Sequence, residues 1–471
     1  MNKINKVYIN GQFVTPHGTD TFKLISPVTN ELIGEVVLGD ETDAINAISA
    51  AKEAFKTFSK TTVAERIQYL EKIYTAVFKR KQELIDIMVK EYGGPVQFST
   101  ASVQNALDSI NSNIEILKTF EFKRKAGNAV VILTPVGVAA LITPWNASNG
   151  FICSKLSTAI AAGCTVVIKP SEMSAMQTQL ITECLHEAGL PKGVFNIVNG
   201  LGNIVGATFT SSPDIAKISF TGSTIVGKSI AGKGAESIKR ITLELGGKSP
   251  NILLEDANLE EAIPVSIAAG FMNSGQACIA ATRLLVPEHK LEEVKLLIKE
   301  TVAKIKVGNP QDTDTQIGPM VSVKQYNRVQ QYIQSGIDEG AEILTGGPGK
   351  PEGLESGNFV RPTVFVNVHN DMQIAREEIF GPVISVITYK TIDEAVEIAN
   401  DTIYGLAAYI QTADVVKGEE IATRLEAGRI AVNGFKHDPL APFGGFKQSG
   451  IGREYGVYGL ETYLEPKTIL I

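Results

Sequence analysis

Cysteine is scarce: four in 471 residues, at 153, 164, 184 and 278. That is too few for the disulfide framework of a small secreted protein, and it points to a reducing cytoplasm, where each thiol is a packing group or a reagent. The five histidines, at 17, 186, 289, 369 and 437, are far apart. With no Cys-x-x-Cys or His-Glu-x-x-His spacing, no metal site is expected. Charge of one sign never accumulates in blocks; 44 basic against 51 acidic residues leave a net charge of −7. That balance argues against nucleic acid or anionic membrane as a partner. Repeats and low-complexity tracts are absent, and the Gly346–Gly353 patch reads as a surface loop. The start has no signal-peptide pattern, and Asn10-Gly11 between apolar runs reads as a tight hairpin. Residues 126–154 carry no charge, but Pro135, Pro144 and several Gly and Asn residues break them into short strands and turns rather than a membrane helix.

What is there is globular: 44% hydrophobic and 20% charged residues, in a length that at about 150 per domain gives two to three domains. Residues 41–59 and 62–92 read as amphipathic helices. The second opens with the capping pattern Thr62-x-x-Glu65 and carries Ile67, Leu70, Ile73 and Val77 on one stripe. Apolar runs near 137–142, 165–169, 194–198 and 216–220 then alternate with helical segments near 149–162, 173–188, 201–210 and 224–234. This is the sequence form of a parallel sheet with crossover helices. After Gly246-Gly247 a second α/β series begins, with a helix capped at Asn258, a strand at 282–287, and helices near 290–306 and 322–340.

Individual motifs are ambiguous. Gly200–Gly206 has one residue too many for a dinucleotide glycine loop and reads as a turn. Gly222-Ser223, where an apolar strand meets a helix start, suits a phosphate or an ordinary turn equally well. Lys169-Pro-Ser-Glu172 ends a strand where open α/β sheets bind ligands, or is a surface pair. Cys278 lies in the small, polar turn Asn273-Ser-Gly-Gln-Ala-Cys278, which can expose a thiol and aim its own N–H at an oxyanion. The other cysteines lie in or beside apolar runs and read as packing groups. Glu244, before two glycines, is a general base for water or a capping carboxylate.

Taken together these segments carry a resemblance. Pro144-Trp-Asn146, Lys169-Pro-Ser-Glu172, Phe220-Thr-Gly-Ser223, Glu244-Leu-Gly-Gly-Lys248, Gly275-Gln-Ala-Cys278, Glu378-Ile-Phe-Gly-Pro382 and Pro442–Glu454 match, in order and spacing, the NAD(P)-dependent aldehyde dehydrogenase superfamily. The resemblance covers essentially the whole chain. It implies two Rossmann-like α/β domains with parallel sheets plus a small β oligomerisation element. Residues 1–116 and 136–246 would form the cofactor-binding domain and 247–446 the catalytic domain. Residues 117–135 and 464–471 would form the oligomerisation element, with 447–463 returning to the cofactor domain.

The resemblance also assigns roles. Cys278 is the expected nucleophile, Asn146 and the Cys278 N–H the oxyanion donors, and Glu244 the base that activates the deacylating water. Lys155 and Glu454 resemble a pair near that base that relays its proton. Trp145, Ser223 and the Gly222–Gly227 turn would lie beside the pyrophosphate. Lys169, Ser171 and Glu172 would reach the adenine ribose, and Glu378 and Phe380 the nicotinamide side. Glu172 favours NAD, although members with this glutamate sometimes accept NADP. The implied partner is a small aldehyde, and the implied assembly a homodimer or homotetramer.

The match departs at the tunnel walls. Ala147-Ser-Asn-Gly-Phe151 replaces a bulky apolar run, and Ser154 stands where a large side chain is common. A wider tunnel for a bulkier or partly polar aldehyde is expected. Lys436 and His437, in a slightly short loop, raise the option of a negatively charged substrate. A CoA-acylating dehydrogenase is the alternative enzyme, disfavoured by Glu244, and a silent binding protein the alternative outside catalysis, disfavoured by intact Cys278, Asn146 and Glu244.

Overall fold

The computed structural model describes residues 2–470; Met1 and Ile471, assigned above to the first and last expected segments, lie outside the described residues. Two α/β domains are built around two large sheets. The first has eight strands in the order Gly450–Ile451, Arg240–Glu244, Ile215–Thr221, Val138–Ile142, Thr165–Lys169, Phe195–Ile197, Val7–Ile9 and Gln12–Val14. Its five central strands are parallel and its edges antiparallel. Strands buried on both faces by crossover helices read as unbroken apolar runs, which is why 138–142 and 165–169 carry no alternation. The Asn10-Gly11 hairpin closes the edge, both residues having positive φ (52° and 81°), as a two-residue primed turn requires.

The second sheet has seven strands, in the order Glu342–Thr345, Thr363–Val366, Val383–Tyr389, Arg283–Pro287, Pro250–Leu253, Ala407–Gln411 and Arg429–Val432, parallel except at the first edge. A third, antiparallel sheet pairs Lys123–Ala126 and Leu464–Leu470 with Ala129–Pro135. A small sheet of Asn2–Ile4, Leu32–Val37 and Thr21–Ile25 lies apart.

Two features differ from the sequence reading. The helix expected over 62–92 is two helices, Val63–Lys79 and Lys81–Tyr92, the first opened by the Thr62/Glu65 capping box. The break is at Arg80, whose guanidinium is held by Glu83 (2.9 Å) and Glu183 (2.8 Å). Both helices bury apolar residues in one core, so the hydrophobic pattern runs through the break unmarked. The long helix Val96–Thr119 went unforeseen and runs past residue 116, where a domain boundary was expected. It turns Ser99, Ser102, Ser109, Ser112 and Asn113 inward among its apolar residues, which dilutes the periodicity.

Candidate active site

In the first sheet the strand Val138–Ile142 lies between Thr165–Lys169 and Ile215–Thr221, so successive crossovers leave it in opposite directions. The crevice at the carboxyl ends of such strands is where open α/β sheets bind ligands. Pro144-Trp-Asn146, Lys169–Glu172, Gly222-Ser223 and Glu244 all follow or end these strands. Spacing in sequence therefore becomes adjacency in space.

Cys278 comes from the other domain, in the turn between the helix Leu259–Phe271 and the strand Arg283–Pro287. Asn273, Ser274 and Gly275 are three successive left-handed residues (φ 52°, 57° and 74°). The two that carry a Cβ each cost roughly 1–2 kcal/mol in that region. Gly275 cannot be replaced cheaply, since a Cβ there would stand 2.1 Å from the Gly381 carbonyl carbon and oxygen. Side chains hold the turn. Tyr92 donates its hydroxyl to Asn273 Oδ1 (2.8 Å), and Gln276 Nε2 donates to that hydroxyl (3.1 Å). Val321 N–H donates to Gln276 Oε1 (2.9 Å), and Gly318 N–H to Ser274 Oγ (2.9 Å). None of Tyr92, Ser274 or Gln276 was singled out for a role of its own in the sequence, because their partners lie in segments far along the chain.

Asn146, buried, donates Nδ2 to the Gln276 carbonyl (2.9 Å), which fixes its amide beside the cysteine turn and leaves the second amide hydrogen uncommitted. Cys153, Cys164 and Cys184 are buried in the first domain's core, and burial raises each of their pKa values. Among the four, Cys278 alone retains partial exposure. Its thiol faces its own N–H and that of Ile279. Burial, with the charges of Glu378 and Glu244, nevertheless pushes it up to about 12. A free thiolate at neutral pH, the simplest reading of a reactive cysteine, is thus not what this environment holds; a base or an added positive charge must assist.

Glu244 ends its strand 2% exposed, with neither carboxylate oxygen hydrogen-bonded to the protein. Burial and the neighbouring Glu454 charge raise its pKa well above the usual carboxylate range, while Lys155 and Arg453 oppose the shift. Behind it Lys155 forms a short ion pair with Glu454, and both bond to the Ser219 hydroxyl (2.9 Å from Lys155 Nζ, 2.8 Å from Glu454 Oε1). Lys217, absent from the sequence-level candidates, is buried nearby with Nζ on Thr242 Oγ1 (2.7 Å) and over the Tyr463 ring.

The remaining candidates form the other wall. Lys169 Nζ pairs with Glu172 Oε2 (3.3 Å), and burial lowers the lysine's pKa while Glu172 counteracts. Ser171 caps the short turn at Glu172, accepting from Met173 N–H (3.3 Å). Ser223 caps the helix Thr224–Ala235, after Gly222, and stays exposed. Gly227 packs that helix against the sheet; a Cβ there would stand 2.4 Å from Leu245. Ile225 and Val226, 82% and 47% exposed, leave an apolar surface beside this cap that the motif reading passed over. Trp145 and Phe380 meet edge to face with ring centroids 5.5 Å apart. Glu378 accepts from Gly247 N–H (3.1 Å), and burial lifts it to about 7. Gln325 and Arg328 donate to the Ile379, Phe380 and Glu378 carbonyls and so hold this segment in place.

Two expectations about the tunnel change. The Tyr455 hydroxyl lies against Ser154 and Ser109, so the space left by the small Ser154 is refilled rather than open. His437 packs its ring edge-on to Tyr455 (4.7 Å between centroids), where desolvation and the Arg429 charge lower it to about 4. It is neutral at physiological pH and supplies no charge for an acidic substrate. Arg429 spends one guanidinium nitrogen on the Phe435 and Lys436 carbonyls.

No helix among the described residues is long and apolar enough to cross a membrane, and no group of three or more His, Cys, Asp or Glu could hold a metal ion. The paired parallel sheets with a cysteine turn facing a strand-end glutamate define a two-domain α/β oxidoreductase. Residues 13–469 match the model of the aldehyde dehydrogenase family. The structure superimposes on that of a Cys-to-Ala variant of aldehyde dehydrogenase C from Pseudomonas syringae in complex with NAD+ and octanal, with TM-score 0.98 and 44% identity, covering 99% of this chain and 96% of that one. An aldehyde dehydrogenase from Bartonella henselae gives 0.97 and 41% over the full length of both chains. One from Mycobacterium tuberculosis complexed with NAD+ gives 0.96 and 37%, covering 100% and 98%. The chain belongs to the aldehyde dehydrogenase family.

Proposed function

We propose that the protein oxidises an aldehyde to the carboxylic acid with NAD as hydride acceptor, through a thioester on Cys278 that water hydrolyses under the control of Glu244. The observation that carries this reading is the proximity of the Cys278 thiol to a buried carboxyl, Glu244, that has no hydrogen-bond partner in the protein. The charge of one acts on the other, and the Asn146 amide is fixed beside them. The Cys278 sulfur bonds to the aldehyde carbon as its proton passes to a base, and the oxyanion that forms is met by Asn146 Nδ2 and the Cys278 N–H. Loss of hydride from that carbon leaves the thioester. Glu244 then takes a proton from water, the water oxygen bonds to the acyl carbon, and the carbon–sulfur bond breaks to return the thiol. The hydrogen-bonded Lys155–Ser219–Glu454 cluster, whose charges act on Glu244, supports a relay for that proton.

The residues fit a dinucleotide. An uncovered helix start capped by Ser223 suits a pyrophosphate, and exposed Ile225 and Val226 suit an adenine face. Glu172 offers a carboxylate to ribose hydroxyls and would repel a 2′-phosphate, which favours NAD over NADP. Trp145, Ser171, Gly222, Gly227, Lys169, Glu378 and Phe380 complete the proposed slot. When bound, the nicotinamide would supply the hydride acceptor, and its positive charge would oppose the burial and nearby carboxyls that raise the pKa of the Cys278 thiol. Transfer of the acyl group to CoA is disfavoured by Glu244, which would serve no purpose there. The sheet of 123–126, 129–135 and 464–470 has two open edges and is proposed as the contact between copies. Following NADH from a panel of aliphatic, aromatic and acidic aldehydes, with NAD or NADP and with or without CoA, tests the whole reading. NADH formation that requires CoA would overturn hydrolysis.

A further inference from the structure

Tyr455 occupies a position that its own backbone resists. Its φ of 62° with ψ of 161° falls in a region essentially reserved for glycine, at a cost of roughly 1–3 kcal/mol that the surroundings must offset. Those surroundings are specific. Phe443 and the preceding Glu454 exchange backbone hydrogen bonds (2.8 and 2.7 Å), and the Gly456 N–H donates to the Pro439 carbonyl (3.2 Å). The segment is thereby clamped to the 435–443 loop. The ring stands edge-on to His437 and, more loosely, to Phe443 (6.1 Å). The hydroxyl reaches Ser154 on the helix Ser148–Ala162 and Ser109 on the helix Val96–Thr119. The Ser154 and Ser109 hydroxyls themselves donate to the Phe151 and Asn105 carbonyls (3.3 and 2.7 Å), so their oxygens remain free to accept.

Glu244 adjoins this clamped segment: a Cβ on Gly444, next to Phe443, would stand 2.8 Å from Glu244 Oε1. Across the opening, Tyr409 donates its hydroxyl to the Ile279 carbonyl (2.7 Å) and stands beside Arg429, which binds the 435–436 carbonyls. The 435–443 loop is thus tied to the cysteine turn through Tyr409 and Arg429, and to the base and Tyr455 through Phe443 and Gly444.

We propose that Tyr455 is a specificity-determining residue for the aldehyde: its ring replaces the bulk missing at Ser154 and narrows the passage beside Glu244. Unbranched aliphatic aldehydes then pass, and those with a ring or branch next to the carbonyl are held back. The inference rests on the aldehyde oxidation proposed above.

The test compares kcat/KM for octanal and for benzaldehyde, with NAD, in the full-length enzyme. Wild type should favour octanal, and Tyr455→Leu should shift the ratio toward benzaldehyde by about tenfold or more, within what one pocket contact can achieve. Tyr455→Phe, which keeps the ring, should keep the ratio. Adding Ser154→Trp to Tyr455→Leu should restore it. If Tyr455→Leu fails to fold, Ser154→Ala and Ser154→Phe carry the test: only the second, by crowding the ring, should change the ratio. A ratio unchanged within about twofold in a folded Tyr455→Leu, or no rescue in the double variant, overturns the proposal. Wild type inactive on both aldehydes with NAD would instead count against the oxidation reading.

Discussion

Ser223 and Cys278 both stand at turns joining a helix and a strand, yet the two turns are built differently. The Ser223 turn is relaxed: an extended cap residue (φ −69°, ψ 147°), one side-chain bond back to the helix, and an exposed surface. The Cys278 turn runs through three left-handed residues and is held by the Tyr92 hydroxyl and by the Gly318 and Val321 N–H groups, which donate to its own Ser274 and Gln276 side chains. One turn binds with backbone groups that any helix start provides. The other positions reactive atoms, and its strain persists because surrounding hydrogen bonds over-determine it. The same contrast extends to charge. Lys169 is paired with Glu172, whereas Glu244 has no hydrogen-bond partner and Cys278 lies near the carboxyls of Glu378 and Glu244.

This contrast can be broken from either side. Cys278→Ala should remove aldehyde-dependent NADH formation by on the order of 10⁴-fold or more, with the melting temperature little changed. Residual turnover near wild type would remove the thiol from the reaction. Glu244→Gln should preserve the first-turnover burst of NADH and slow steady turnover by about 10²–10⁴-fold. An equally slowed burst would mean that Glu244 also serves the acylation step. Both groups have raised pKa values and act after losing a proton. The wild-type rate should therefore climb as pH rises from neutral, and an acid optimum in a stopped-flow pH series would contradict this assignment. Tyr92→Phe leaves Asn273 Oδ1 without its partner and Gln276 Nε2 with the Pro319 carbonyl alone, at about 1–3 kcal/mol. It should lower kcat more than it raises the KM for NAD. Ser223→Ala should be the mildest, losing a cap worth about 1 kcal/mol. It should raise the KM for NAD several-fold while sparing single-turnover chemistry at saturating NAD.

How much was legible follows local chemistry. The parallel α/β alternation, the Thr62 cap, the hairpin at Asn10-Gly11 and the burial of Cys153, Cys164 and Cys184 depend on neighbours in sequence, and each is found in the structure. At the break Arg80 pairs with Glu183, far along the chain, as well as with Glu83, and the helix Val96–Thr119 turns inward serines whose hydroxyls bond carbonyls three to five residues back, a polar burial that the apolar period does not announce. Gln325 and Arg328 have no motif, because they act on backbone carbonyls that bear no side-chain signature.

The chain's order of residues determined the fold class and the chemical types gathered at the site, since apolar period, glycine turns and strand-end polar residues are local properties that any fold of this sequence must respect. Tertiary structure alone decided how those groups behave. Ser154 promised space, and Tyr455 fills it; His437 promised charge, and its packing against Tyr455 beside Arg429 lowers its pKa; Cys278 promised a thiolate, and burial, with Glu378 and Glu244 nearby, raises the pKa of its thiol. Volume, desolvation and Coulomb energy depend on distances between atoms, and those distances exist only once the chain has folded.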